Sequence, residues 1–303
     1  MLLDEDAVRE LLRMEDLVPA MERTLAELSS GKAVQPVRLV LPVAPHQGFF
    51  ATMPAATSNA LGAKLVTFYP DNQGIPTHHA LIVLFRPETG EPLVTMDGRL
   101  ITEMRTAAAS AAATRHLARA DASVLAILGS GVQAGSHLEA LRLVRDFREV
   151  RVWSPRHAAD FAREHGICAA GSAEEAVRGA DAVVVATGSQ TPVLRGEWLS
   201  PGTHVNAVGA CRPDWRELDD DALRRARLWV DSRDAATRES GDVIAAGSIV
   251  AEIGEVVAGR EPGRRTAEEI TLFKSVGVAV EDVVAADMVY RAALGRTSEC
   301  EGL

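Results

Sequence analysis

The chain has 303 residues, 47% of them hydrophobic and 24% charged, with only 7 Phe, 4 Trp and 2 Tyr. That is a globular composition with room for two domains, and it excludes a disordered chain, a collagen repeat and a disulfide scaffold. Forty-two acids against 32 bases give a net charge of −10, with no long basic block; a nucleic-acid footprint and a polybasic membrane anchor are not expected, so a small anionic ligand needs locally placed cations.

The opening MLLDEDAVRE has neither a basic region nor an apolar core, so no secretory or transit peptide is expected and the location is read as cytoplasmic. Asp4 is placed to cap a first helix, and a second is expected after Pro19, ending at Gly31. Short β-branched and aromatic runs follow at 37–43, 48–54, 62–70, 79–87 and 92–98, separated by Pro, Gly, Asn and Asp. They predict an antiparallel or mixed sheet. The longest uncharged stretch, Leu39 to Ala63, contains Pro42, Pro45 and Pro54 and does not read as a membrane span. An alanine-rich helix is expected from about Leu100 to Arg119.

From Ala122 strands and helices alternate. Strands are expected at 122–128, 149–153, 181–187, 203–209 and 226–231, with helices over 133–146 and from His157 to Gly166. This is the α/β pattern of a Rossmann-type, doubly wound parallel sheet. A last long helix, about Val278 to Leu294, is placed to return to the first part of the chain. The expected division is therefore an α+β domain over 1–120, joined by 281–303, and an α/β domain over 121–280. Cys168, Cys211 and Cys300 lie far apart without a CxxC, which points to reduced thiols. Adjacent His78 and His79 would face opposite ways in a strand, and no metal site is expected.

Directly after the first α/β strand stand Gly129, Ser130, Gly131, Val132, Gln133 and Ala134, the GxGxxA form of the dinucleotide fingerprint. Gly129 permits the tight turn, Gly131 lets backbone approach a pyrophosphate, and Ala134 lets the helix pack close to the strand. The second strand ends in Ser154, Pro155, Arg156 and His157, where an NAD site would present an acid to the ribose 2′-hydroxyl. A hydroxyl and a cation instead suit a 2′-phosphate, so NADPH/NADP+ is expected over NADH. The alternative is that Arg156 is a solvated residue at a helix start.

Arg38, Lys64 and Arg105 are charges embedded in otherwise apolar sequence. Each taken alone reads as a strand-edge or surface charge, but three beside a cofactor domain point to binding of a small anion. The blocks QPVRLVLPV (35–43), KLVTFY (64–69), MDGRLITEMRTAAASAAAT (96–114), LGSGVQA (128–134), NAVGACRPDWRELDDD (206–221), RESGDV (238–243) and FKSVGVAVEDVVAAD (273–287) resemble the ornithine cyclodeaminase/μ-crystallin family, most closely its ketimine reductases. The resemblance implies a homodimer built through the first domain and an active site between that domain and the Rossmann domain. It implies that Arg38, Lys64 and Arg105 surround the substrate carboxylate and the nicotinamide end of the coenzyme. It further implies coenzyme contacts from Thr77, His78, Ser130, Val132, Gln133, Thr187 and Val208, and pocket positions for Glu239 and Ser275. Glu239 could orient an iminium or relay a proton; a capping or salt-bridge role is the alternative.

Cyclodeaminases of the family carry an acid where this chain has Cys211, and a neutral thiol supplies neither the charge nor the usual base. Met104 also replaces a base found before Arg105 in some relatives. The run DWRELDDD reads as a solvated turn and helix start. The expected activity is NADPH-dependent reduction of a cyclic ketimine carboxylate to L-proline or L-pipecolate. An amino-acid dehydrogenase, an ornithine cyclodeaminase and a non-catalytic NADPH-dependent binding protein are the alternatives.

Overall fold

The computed structural model describes residues 1–300, the last five as helix backbone alone, and divides into two compact units whose border falls inside the alanine-rich helix. One unit is Met1–Arg105 together with the chain from Val278; the other is Thr106–Gly277. Residues 301–303 of the C-terminal segment expected to join the first domain lie outside the described residues.

The first unit comprises β1 (Leu2–Leu3), α1 (Glu5–Leu11), α2 (Met14–Ser29), β2 (Leu39–Val43), β3 (Gly48–Ala56), β4 (Leu61–Phe68), β5 (His78–Phe85), β6 (Pro92–Asp97) and the start of α3 (Arg99–Leu117). Asp4 caps α1, its carboxylate accepting from Ala7 N at 2.9 Å. The second helix does not wait for Pro19 but begins at Met14 with the proline inside it. Buried Met14, Leu17, Val18, Met21 and Leu25 form one continuous apolar stripe across the proline, and their burial offsets the hydrogen bond it removes.

The sheet runs β1-β6-β5-β4-β3-β2, antiparallel except where β1 pairs with β6. Its pleat sorts side chains onto two faces. Met53, Lys64, Ile82 and Met96 lie in one cross-strand row, all buried; Leu39, Thr52, Leu65 and Leu81 lie in a row on the opposite face, which is half-exposed.

The second unit continues with β7 (Val124–Leu128), α4 (Val132–Arg142), β8 (Glu149–Trp153), α5 (Ala158–His165), β9 (Cys168–Ala169), α6 (Ala173–Val177), β10 (Ala182–Val185), β11 (His204–Ala207), α7 (Asp220–Arg225), β12 (Ala226–Val230), α8 (Arg233–Glu239), α9 (Gly241–Ala246), β13 (Ala251–Glu252), α10 (Ile253–Val257) and β14 (Ile270–Lys274). The strands form one parallel sheet, β13-β12-β14-β11-β10-β7-β8-β9. Strand β14 enters between β11 and β12, a central position that the sequence reading missed. ITLFK is a five-residue run with no period of its own, and only its burial on both faces marks it as a strand. The chain then returns to the first unit as α11 (Ala279–Cys300).

Buried polar groups pin the second half of α3 inside the second unit. Carbonyls at its C-terminal end accept from two guanidinium groups: Arg145 reaches Thr114 O at 3.2 Å and, just past the helix, Ala118 O at 3.2 Å, and Arg264 reaches Leu117 O at 2.7 Å. The buried His137 ring joins Gln133 O at 2.7 Å to Ser110 Oγ at 2.9 Å. His204 sits between Thr271 Oγ1 at 3.0 Å and Asn206 Oδ1 at 3.3 Å, and Asn206 donates to Thr114 Oγ1 at 2.9 Å.

Burial brings His137 down to about 4, and burial with the nearby Arg264 brings His204 down to about 3. Both are neutral in the folded chain and take a proton near 6.5 when unfolded. The contribution of these two histidines is therefore level above pH 6.5 and falls as the pH drops from there toward the folded values, by on the order of 2 kcal/mol for each at pH 4.5. Urea midpoints measured from pH 7.5 to 4.5 should show that decline, with a shallower slope in His137→Gln; a midpoint independent of pH across this window would contradict it.

Candidate active site

Alternation along β4 turns Lys64 inward among Met53, Ile82 and Met96, where an isolated ammonium would be expensive. Two helices answer it. Lys64 Nζ lies 2.7 Å from Asp282 Oδ2 on α11 and donates to Thr102 Oγ1 on α3 at 3.3 Å. Arg105, also on α3, donates through Nε to Asp282 Oδ1 at 2.9 Å and through Nη1 to Glu281 Oε2 at 2.7 Å. Lys64 and Arg105 are 2% and 4% exposed, and both acids are fully buried. The cations expected singly at a surface are thus interior and paired.

Glu281 and Asp282 occupy the first turn of α11, where the helix dipole favours anions, and Gln35 Oε1 accepts from Val280 N at 2.9 Å to close that turn. Sequence reasoning did not single out these acids. The available signal was two adjacent charges inside the apolar run VAVEDVVAA, which are rarely buried without partners.

Burial lowers the Lys64 ammonium to about 8, with Arg105 and Arg38 adding to the shift and Asp282 opposing it. Burial works to raise Asp282, but Arg105 and Lys64 together hold it below the ordinary carboxylate value. His78, at the start of β5, is brought down to about 4 by burial and then by Lys64. At neutral pH, Lys64 therefore carries a proton and His78 does not. Arg38 is half-buried just before β2, and Thr77 is exposed, its carbonyl accepting from Tyr69 N at 2.7 Å.

In the second unit the fingerprint turn joins β7 to α4. Gly129 has φ +121°, and a Cβ there would lie 2.3 Å from Ala186 O, so only glycine fits. Gly131 stands at the N-cap of α4 with no side-chain cap, and a Cβ built on it meets nothing within 4 Å. Ala134 is fully buried, while Val132 is 57% exposed beside this open helix start. Uncapped amides, open space and a positive dipole end suit a pyrophosphate. Gln133 gives its carbonyl to His137. Ser130 Oγ donates to Ser154 Oγ at 2.8 Å, joining the turn to the end of β8, and Arg156 is exposed.

At the ends of the next strands, Thr187 donates from N at 2.8 Å and Oγ1 at 2.6 Å to Glu217. Val208 is buried, and the Cys211 thiol donates to Val208 O at 3.4 Å. The Ser275 hydroxyl donates to buried Asp231 at 2.9 Å. Glu239, the buried last residue of α8, is not a helix cap; Ser240 caps α9, accepting from Val243 N. DWRELDDD is only partly the solvated turn expected: Asp219 caps α7, but Glu217 is fully buried. Among the described residues no group of three or more His, Cys, Asp or Glu could hold a metal ion, and no helix is long and apolar enough to cross a membrane.

A parallel dinucleotide-type sheet with an uncapped glycine turn after its first strand, in a chain that also carries an α+β unit, is the fold class of nicotinamide-dependent oxidoreductases. The chain belongs to the ornithine cyclodeaminase/mu-crystallin family, whose model matches residues 1–297. It is 49% identical over 302 residues to the ketimine reductase mu-crystallin of Macropus fuliginosus, covering 95% of this chain and 96% of that one. The solved Thermococcus litoralis Δ1-pyrroline-2-carboxylate reductase, in complex with NADH and L-proline, is 40% identical with a TM-score of 0.94, covering 98% of both chains. An archaeal alanine dehydrogenase dimer with bound NAD is 38% identical with a TM-score of 0.93, covering 98% of this chain and 97% of that one.

Asp282→Asn leaves two buried cations facing each other. It should lower stability by about 3–5 kcal/mol, read as a fall in Tm, and move the lysine titration below 8. An unchanged Tm would show that the pair is not held as described.

Proposed function

We propose that the protein reduces cyclic ketimine carboxylates, Δ1-pyrroline-2-carboxylate or Δ1-piperideine-2-carboxylate, to L-proline or L-pipecolate with a nicotinamide coenzyme. The observation that carries this reading is the Lys64–Asp282–Arg105 cluster, a buried ammonium that keeps its proton at neutral pH yet releases it near 8. Arg38 and the Arg105 donors not spent on α11 take the substrate carboxylate. Lys64 gives its proton to the imine nitrogen, and Asp282 keeps that ammonium charged and aimed. The coenzyme, when bound, supplies the hydride that the C=N carbon accepts. The residues of the first unit therefore contribute orientation and one proton. Relatives described as ketimine and Δ1-pyrroline-2-carboxylate reductases support the substrate class.

Cys211 supplies no carboxylate for ammonia loss, which favours net reduction over cyclodeamination. No acid stands among residues 154–157, and the Ser154 hydroxyl and exposed Arg156 favour a 2′-phosphate, hence NADPH. The pyrophosphate is held by Gly129, Ser130, Gly131, Val132, Gln133 and Ala134. A second copy of the chain covers the outer face of the first sheet, where Leu39, Leu41 and Leu81 are 70%, 59% and 48% exposed and β2 is an open edge. The protein acts in the cytoplasm on a small imino acid.

Purified protein, NADPH and each cyclic imine, followed at 340 nm, should show net coenzyme consumption without added ammonia. Equal efficiency with NADH would overturn the coenzyme preference, and a requirement for ammonia would mark an amino-acid dehydrogenase. Lys64→Met should lower kcat by about 10²- to 10⁴-fold while coenzyme binding persists. Reduction needs the protonated amine, so kcat should be level below pH 8 and decline above it, with the reverse oxidation rising over the same range. Sedimentation should give a dimer that Leu81→Arg converts to a monomer; a wild-type monomer at micromolar concentration would sink that part of the reading.

A further inference from the structure

Glu217 lies in the loop between β11 and α7, and its buried carboxylate gathers donors from two separate strand ends. Oε1 accepts from Thr187 N at 2.8 Å and Thr187 Oγ1 at 2.6 Å, just past β10. Oε2 accepts from Gly209 N at 2.7 Å and Ala210 N at 2.9 Å, just past β11. Only an acceptor-only group satisfies all four; an amide would turn a donor toward one pair. The fit leaves no slack, because a Cβ on Gly209 would lie 2.3 Å from Glu217 Oε1.

The clamp is itself held from behind. Asp242 Oδ1 accepts from Glu217 N and Leu218 N, each at 3.1 Å. Fully buried Lys274 places its ammonium 3.7 Å from Asp242 Oδ2 and makes no hydrogen bond among the described residues. Its charge draws both carboxylates down against the burial that raises them.

Open parallel sheets bind ligands beyond the carboxyl ends of the strands, where the strand order reverses. Here that reversal lies between β7 and β10. The Gly129 turn abuts Ala186 O, and the next residue is the clamped Thr187. Both Thr187 donors are spent on Glu217, so Thr187 meets a ligand as a fixed surface and not as a donor.

We propose that Glu217 is a positioning residue for hydride transfer: one anion ties the ends of β10 and β11 into the floor under the nicotinamide half of the coenzyme. The pyrophosphate is held separately by the 129–134 turn. This rests on the dinucleotide reading of that turn.

The test compares NADPH with 2′-phospho-ADP-ribose, which lacks nicotinamide, by calorimetric titration of wild type, Glu217→Gln and Thr187→Val. In Glu217→Gln, affinity for 2′-phospho-ADP-ribose stays at the wild-type value, NADPH binds more weakly, and kcat falls about 10- to 100-fold. Thr187→Val, which removes one hydroxyl donor with little change of shape, gives a smaller loss in the same order and decides the matter if Glu217→Gln does not fold. Equal loss of both affinities would make Glu217 a general structural residue, and unchanged kcat and NADPH affinity would remove the role altogether. Wild type binding neither ligand would overturn the dinucleotide reading and the proposal with it.

Discussion

The carboxylate of Asp282 is the constraint on which the first unit depends. It allows an ammonium and a guanidinium to lie side by side on the buried face of a sheet whose other members in that row are methionine and isoleucine. Such a cluster is a weak source of stability, since desolvating each ion costs several kcal/mol and mutual attraction offsets that only with good geometry. Its consequence is a displaced proton affinity. Burial with Arg105 and Arg38 pulls the lysine toward release of its proton, and Asp282 restrains that pull, leaving it at about 8.

The second unit uses buried anions for a different purpose. Asp231 gathers Ser275 Oγ and the N–H groups of Val276 and Gly277, Asp242 gathers Glu217 and Leu218, and Glu217 gathers the ends of two strands. Loops at the carboxyl edge of a parallel sheet have no ladder to satisfy them, and here side-chain carboxylates replace it. The outcome is a set of loop backbones whose N–H groups are satisfied and held by side chains of the same unit.

What was legible in the sequence followed from local rules. The glycine turn announced itself because a strand, GxGxxA and an amphipathic helix are contiguous, and Gly166 closed α5 in the left-handed conformation as its position suggests. The resemblance to family blocks located Lys64 and Arg105. Their surroundings were not legible, because Arg105 and Asp282 are separated by 177 positions and no local pattern links them. Glu217 was hidden for another reason: it stands in an acid-rich run whose other members do cap and solvate a helix, and composition cannot tell the one inward carboxylate from its neighbours. Pro19 and β14 were misread because burial outweighed propensity in one and supplied the only signal in the other.

The return of α11 to the first unit also governs the order in which the protein can be made. Residues 1–105 emerge from the ribosome with Lys64 and Arg105 already present but with neither Glu281 nor Asp282 to receive them. Thr106–Gly277, in contrast, is continuous in sequence and is fully translated before the last helix. Chains fold largely as units while they are synthesised. The continuous unit can therefore be complete while the other still waits, and the Lys64 ammonium acquires its counter-charge only among the last steps of the protein's biogenesis.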